Sequence, residues 1–272
     1  MKQKFIFLLS ALLIVCLCAC QSPQVDDKSE EESVPVVNEV DEGETDTDED
    51  TEENVDESAD ESTDADSTYD PCLDYGLPIP TQTHTYDDGS KLILVNKQYA
   101  ITSDFYPTDM VAVDGSLSTN QGLSFKREAY DAYLRMLADA NAQGLNFLIC
   151  STYRSYWVQE SIYFSHINAY GVDYTNTVSA YPGRSEHHTG WAVDVTCAEM
   201  GYDLLESFID LPQGQWINQH CHEYGFIIRY PKNKTHITGY AYEPWHLRYV
   251  GVDVATEIMS NGLTLEEYLG VV

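Results

Sequence analysis

Two short segments about fifty residues apart constrain this chain more than anything else in it: Ser185-Glu186-His187-His188-Thr189-Gly190-Trp191-Ala192-Val193-Asp194 and Glu243-Pro244-Trp245-His246. Taken one residue at a time they are unremarkable, since a His is usually a surface group and a Glu before Pro usually sits in a turn. Taken together they hold the residue types of a zinc site. Zinc favours imidazole nitrogen and carboxylate oxygen, and a catalytic zinc takes three protein ligands and leaves a fourth position for water. His187, Asp194 and His246 supply the three. Glu243, three residues before His246, is then the carboxylate that takes the proton of that water. Any fold that satisfies this must bring a turn, a strand and a distant third segment to one point.

The local patterns agree. Gly190 permits a tight turn after His187, and Trp191 to Thr196 alternates like a strand, with Ala192, Asp194 and Thr196 on one face. Glu243 and His246 conflict with a regular strand, in which residues three apart face opposite ways. Pro244 between them predicts a bulge or kink that turns both to the metal. The His-Glu-x-x-His helix of the commoner zinc proteases is absent.

Elsewhere the sequence predicts a strand over Lys91 to Lys97 and an amphipathic helix from Lys126 to Gln143, with Ala129, Tyr133, Met136, Leu137 and Ala140 on one face. A short buried strand over Leu145 to Ser151 follows, then a helix from Trp157 to Tyr170 and a third from Gln213 to Tyr224. Gly144, Gly171 and Gly225 are placed to end these helices. Phe226 to Tyr230 and Tyr240 to Val250 read as strands. Two short helices finish the chain, the second with Thr264 and Glu267 at capping-box spacing. A mostly antiparallel sheet with helices around it is the α+β class.

Ahead of this domain the composition changes twice. Residues 1 to 19 carry Lys2 and Lys4 and a largely apolar run from Phe5 that is too short for an ordinary spanning helix, which reads as a secretion signal. Its end, Leu17-Cys18-Ala19-Cys20, resembles a bacterial lipobox, which implies cleavage after Ala19 and a lipid on Cys20. From Asp26 to Asp70, 22 of 45 residues are acidic and Lys28 is the one base. Such a segment cannot bury enough apolar surface to offset its ordering entropy, so 20 to 70 is read as a lipid-anchored disordered tether. The tether carries most of the charge of −31, leaving about −12 on residues 71 to 272. That balance argues against nucleic acid. The roughly 200 residues left suit one domain with a sizeable core. Within it Cys72, Cys150, Cys197 and Cys221 allow two bridges in three pairings, or free thiols such as a buried Cys150.

The two motifs resemble those of VanY-like D-alanyl-D-alanine carboxypeptidases, in the metallopeptidase group that also holds lysostaphin-type endopeptidases and the hedgehog signalling domain. The likeness runs from about Lys91 to Gly251. It includes Leu92-Ile93-Leu94-Val95-Asn96-Lys97, Ser151-Thr152-Tyr153-Arg154-Ser155, Gln159 and Tyr224-Gly225-Phe226-Ile227-Ile228-Arg229-Tyr230-Pro231. One departure is His188, where such sequences often carry Gln; it sets a second imidazole beside the ligand. The resemblance implies a hedgehog-like α+β fold and an exported zinc enzyme, bound to the outer face of the cytoplasmic membrane, that removes D-alanine from peptidoglycan stem peptides. It also implies that Arg154 points at the substrate, that Ser185 donates to the terminal carboxylate and that Gln159 binds the peptide upstream. Trp245, Trp191 and Tyr153 either wall the cleft or pack in the core, while Arg229 and Arg248 brace the fold. A D,D bond in the pentapeptide and an L,D bond in the tetrapeptide both stay open. So does a non-catalytic wall-binding or zinc-carrying lipoprotein, which the intact Glu243 argues against. An endopeptidase or amidase of the wider group would be favoured by a His-x-His second motif, which this chain lacks.

Overall fold

A computed structural model describes residues 70 to 272. The expected signal segment, Cys20 and the acidic run up to Tyr69 lie outside the described residues. Asp70 closes that run by capping a short turn over Pro71–Tyr75, its carboxylate accepting from the Cys72 N–H at 2.9 Å.

In chain order the elements are β1 (Gln82–His84), β2 (Tyr99–Ile101), β3 (Met110–Ala112), β4 (Ser124–Lys126), α1 (Arg127–Ala142), β5 (Leu148–Ser151), α2 (Tyr156–Tyr170), α3 (Val172–Val178), β6 (Ala192–Thr196), α4 (Pro212–His220), β7 (Phe226–Tyr230), α5 (Thr235–Thr238), β8 (Glu243–Tyr249), α6 (Val252–Asn261) and α7 (Leu265–Leu269). A four-stranded antiparallel sheet, in the order β5-β6-β8-β7, forms the centre; β1-β2 and β3-β4 are small two-stranded sheets. This is the expected α+β architecture. Among the described residues no helix is long and apolar enough to cross a membrane.

The period of two along the strands separates the sheet's two faces. Val193 and Val195 of β6, Leu247 and Tyr249 of β8, and Phe226 and Ile228 of β7 join Phe147 and Ile149 in the main core. Ala129, Tyr133, Met136, Leu137 and Ala140 of α1 belong to the same core, as the helical pattern predicts. Each Val, Leu, Ile, Phe or Met side chain among these, fully buried, contributes roughly 1.5–3 kcal/mol through apolar area removed from water. The alternate positions Asp194, His246, Arg248 and Arg229 face the other way and are also buried. A second apolar cluster, built from Leu94, Ile227, Val250, Ala255, Ile258 and Leu265, helps close that side beneath α6 and α7.

Helix ends follow local chemistry. The Ser155 hydroxyl accepts from Val158 N–H at 3.3 Å to start α2, and α7 carries the complete Thr264–Glu267 capping box. The third predicted helix splits, because α4 tightens after His220 into a single narrower turn over Cys221–Tyr224.

One predicted strand is absent. Lys91 to Lys97 forms no strand, although Ile93, Leu94 and Val95 are buried. Three of its carbonyls meet side chains instead of a paired strand. The Arg248 guanidinium donates to the carbonyls of Lys91 and Ile93, both at 2.8 Å, and the Arg184 guanidinium to that of Lys97, while the Asn96 N–H donates locally to the Tyr99 carbonyl at 2.9 Å. The predicted strand from Tyr240 starts only at Glu243. The four cysteines of the described residues are free thiols, with Cys72, Cys197 and Cys221 buried and Cys150 partly so.

Candidate metal centre

The site is built on the face of the central sheet opposite the main core. Asp194 of β6 stands directly across from His246 of β8 in the strand register, and its Oδ1 lies 2.9 Å from His246 Nδ1. His187 arrives from the turn Glu186–Thr189 just before β6, with Nε2 3.1 Å from Asp194 Oδ2. That turn is started by Ser185, whose hydroxyl accepts from His187 N–H at 3.3 Å, and ended by Gly190 at φ 70°. Only glycine suits Gly190: besides the positive φ, a Cβ there would stand 2.9 Å from the Met110 sulfur and 3.1 Å from Lys126 Cγ.

One ligand atom from each of His187, Asp194 and His246 lies within 4.8 Å of the other two, and all three residues are buried. Two imidazoles and a carboxylate are a zinc donor set. The outer contacts fit it too, since a ligating His usually donates its other N–H to a carboxylate or a backbone carbonyl. His187 Nδ1 is 2.5 Å from the Thr152 carbonyl. His246 Nε2 faces Glu186 Oε2 at 3.5 Å. The residues present therefore fit the metal.

Glu243 reaches the same point through the predicted irregularity. The pairing of β7 with β8 moves from Ile228↔Leu247 to Tyr230↔Glu243, so four residues of β8 span what two of β7 span. The bulge carries Glu243 Oε2 to 3.8 Å from His246 Nδ1. Burial pushes the Glu243 carboxyl up to about 8; Asp194 and Glu186 add to this, and His246 and Arg154 oppose it. Burial also acts on Asp194, but His187 and His246 outweigh it and hold that carboxyl well below the usual range. For His246 burial favours the neutral ring, yet contacts with Asp194 and Glu186 and the charge of Glu243 raise it to about 9. Burial depresses His187.

The second imidazole has both ring nitrogens engaged elsewhere. His188 Nε2 accepts from Gly183 N–H at 3.2 Å, so Nδ1 carries the proton and donates to the Arg154 carbonyl at 2.7 Å. Burial lowers its pKa to about 3. Arg154 is held at both ends of its side-chain fork, with Nη1 donating to Gln159 Oε1 at 2.6 Å and Nη2 to Ser151 Oγ at 3.0 Å. Burial lowers the Arg154 pKa, while Asp194, Cys150 and Glu243 pull it up. Gln159 is fully buried, and its amide donates to the Ala180 carbonyl at 2.6 Å. It thus reaches the site through Arg154. Trp191 is a core residue stacked on Tyr249, Trp245 is partly buried beside that core, and Tyr153 pairs edge-on with the exposed Tyr106.

Two contributors escape sequence reasoning. The Thr152 carbonyl is a backbone group and leaves no signal. Glu186 leaves one, an acid beside a ligand inside the motif, but its reach to His246 and to Arg229 and Arg248 appears only in the folded chain.

Residues 122–252 match the VanY family, described as D-alanyl-D-alanine carboxypeptidase. The YodJ carboxypeptidase candidate of Bacillus subtilis is 43% identical over 180 residues, 65% of this chain and 66% of that protein. Over the first curated relatives, the chain spans 57 to 66% of their own length. Among solved structures, the LdcB LD-carboxypeptidase is 41% identical with a TM-score of 0.63, covering 69% of this chain and 90% of that one. A vancomycin-resistance D,D-pentapeptidase VanY variant in complex with Zn(II) is 32% identical with a TM-score of 0.57, covering 66% of this chain and 98% of the other. The face that gathers His187, Asp194 and His246, the bulge that adds Glu243 and these likenesses converge, and the chain belongs to the VanY family of carboxypeptidases.

Proposed function

We propose that the protein is a zinc carboxypeptidase that removes the C-terminal D-alanine from peptidoglycan stem peptides, with the D,D bond of the pentapeptide as substrate. The observation that carries this reading is the bulge of β8, which sets Glu243 on the same side as the three convergent ligands. A protein that only bound metal would have no use for a fourth group there, the mostly buried carboxylate of Glu243. His187, Asp194 and His246 would hold the ion, which when bound would supply Lewis acidity for the scissile carbonyl and lower the pKa of the attacking water.

Glu243 takes a proton from that water and delivers it to the leaving amine nitrogen, so that water and peptide become free D-alanine and a shortened stem. Its burial keeps its pKa near neutral, where a shuttle both accepts and releases. Arg154, fixed by Gln159 and Ser151, meets the negative charge that develops on the carbonyl oxygen or stands on the substrate's terminal carboxylate. Ser185 keeps its own hydroxyl proton for the substrate carboxylate while its oxygen accepts from His187 N–H. Gln159 acts by orienting Arg154.

The L,D bond of the tetrapeptide is the second reading, and the LdcB likeness, 41% against 32% identity for the D,D enzyme, favours it. Mass analysis of products from synthetic penta- and tetrapeptide stems separates the two. Release of D-alanine should stop with chelator and return with zinc; no release from any stem would leave the zinc-carrying or wall-binding lipoprotein. The place of action is part of the same proposal: the Lys2/Lys4 start, the apolar run and Cys20 support export and lipid anchoring outside the cytoplasmic membrane. Cys20→Ser should move the protein out of the membrane fraction, and retention there after a carbonate wash would refute the anchor.

A further inference from the structure

Behind His246 lies a cluster of four buried charges: Glu186, Arg229, Arg248 and Glu266, each at most 1% exposed. Arg229 grips Glu266 with two bonds, Nη1 to Oε2 at 2.9 Å and Nη2 to Oε1 at 2.6 Å, and Asn96 donates to the same carboxylate at 2.9 Å. Arg248 donates to three backbone carbonyls, those of Lys91, Ile93 and Tyr249. The two guanidiniums then meet Glu186 in an uneven way. Arg229 Nε and Arg248 Nη1 both donate to Oε1, each at 2.7 Å. Oε2 is left aimed at His246 Nε2, 3.5 Å away, and neither of these two buried atoms has another partner.

A carboxylate serving only to neutralise two arginines would share both oxygens between them. Here both arginines crowd one oxygen, and the other is held toward the imidazole. We propose that Glu186 is a positioning residue of the metal centre: by accepting the Nε2 proton of His246 it commits that ring to present Nδ1 to the ion. The ring cannot satisfy both neighbours in any other setting. Turning it by 180° would put Cδ2 against Asp194 and Cε1 against Glu186, giving up both polar contacts. Tyr230, whose ring centre lies 4.8 Å from that of His246, packs against the ring. Through Glu186 the ligand is thereby tied to β7 by Arg229 and to the Lys91–Ile93 segment by Arg248.

The inference rests on His187, Asp194 and His246 being the zinc ligands, and the test separates the two. Glu186→Gln keeps the shape but reverses the polarity seen by His246. The arginines draw the amide oxygen into the Oε1 position, so its NH2 turns on Nε2 and drives the ring proton to Nδ1. Glu266→Gln removes one carboxylate from the same cluster without touching His246 and serves as the control for lost stability. Zinc affinity is read by chelator competition on the full chain, alongside the melting temperature. Glu186→Gln should bind zinc 10- to 100-fold more weakly, the range for loss of an outer partner of a ligand. Glu266→Gln should stay within about threefold of wild type. Equal weakening in both variants would reduce Glu186 to a brace and overturn the proposal. Should Glu186→Gln fail to fold, histidine-15N wild type loaded with 113Cd decides. Cadmium coupling at His246 Nδ1, with a slowly exchanging Nε2 proton, supports the assignment, and coupling at Nε2 overturns it. Wild type that takes up no stoichiometric zinc would remove the underlying metal-centre reading, and this inference with it.

Discussion

Replacing Glu243 by Gln should abolish most activity and at the same time stabilise the metal-free protein. The carboxyl is mostly buried at a point where its cationic neighbours are engaged elsewhere: His246, 3.8 Å away, pairs more closely with Asp194 at 2.9 Å, and Arg154 is held by Gln159 and Ser151. Raising a carboxyl from its ordinary 4.5 to about 8 means that the folded state binds this proton more tightly than the unfolded chain. Stability then falls as pH rises between those values. At 1.4 kcal/mol for each pH unit, the penalty at pH 7 is about 3 kcal/mol. Glutamine does not titrate and escapes it, but gives up part of the attraction to protonated His246, so the net gain is about 1–3 kcal/mol. For a domain of this size that is a rise of about 3–10 °C in Tm. The assay is thermal unfolding of zinc-stripped wild type and Glu243→Gln at pH 7 and pH 5. The difference should shrink to under about 1 kcal/mol at pH 5, where the wild-type carboxyl is protonated in the folded state and the pH stands only about half a unit above its ordinary 4.5 in the unfolded chain. Turnover at matched zinc occupancy should fall about 10³- to 10⁴-fold. A variant that melts lower than wild type, a gain that ignores pH, or undiminished turnover would each refute the reasoning.

Three further outcomes follow from the same geometry. His188→Ala should keep about one zinc per chain by metal analysis, while His187→Ala and His246→Ala lose it; the His188 variant should still melt lower, since Gly183 N–H and the Arg154 carbonyl lose their partner at about 1–3 kcal/mol. Arg154→Lys, which cannot hold Gln159 and Ser151 in one fork, should lower kcat/KM about 10²- to 10³-fold with zinc content unchanged, and wild-type kinetics would remove Arg154 from the chemistry. Zinc uptake at pH 7 should release about two protons, because His246 and Glu243 are raised above pH 7 while His187 is neutral and Asp194 ionised; calorimetry in buffers of different ionisation enthalpy should show about one proton fewer for Glu243→Gln.

The parts of this site that the sequence displays are those whose chemistry restricts residue type. Zinc needs imidazole and carboxylate, so His187, Asp194 and His246 stand out by kind as well as spacing. The parity conflict between Glu243 and His246, with Pro244 between them, points to the bulge before any pairing is known. Helix α1 is legible because seven buried positions repeat on one face, and α7 because its cap is local. What stays hidden depends on partners far along the chain. Lys91 to Lys97 has the apolar content of a strand, but whether its carbonyls meet another strand or the Arg248 guanidinium is decided some 155 residues away. Gln159 looks like a substrate contact until Ala180 and Arg154 occupy both ends of its amide.

The same distinction explains why the buried charges sit where they do. Strands β6 and β8 give their apolar alternate residues to the main core, so the opposite face can hold Asp194, His246, Arg248 and Arg229 without interrupting it. Each charge on that face would be costly alone, and each is matched: Asp194 by two imidazoles, Arg229 and Arg248 by Glu186 and Glu266. Glu243 differs from Asp194 and Glu186: burial pushes its carboxyl up, whereas charged neighbours outweigh burial and pull theirs down. An acid left in that state can accept a proton near neutral pH, whereas Asp194, held far below, can act only as a ligand. The unequal electrostatics of the two carboxylates thus suit them to the different work proposed for each, the one to hold the ion and the other to move the proton.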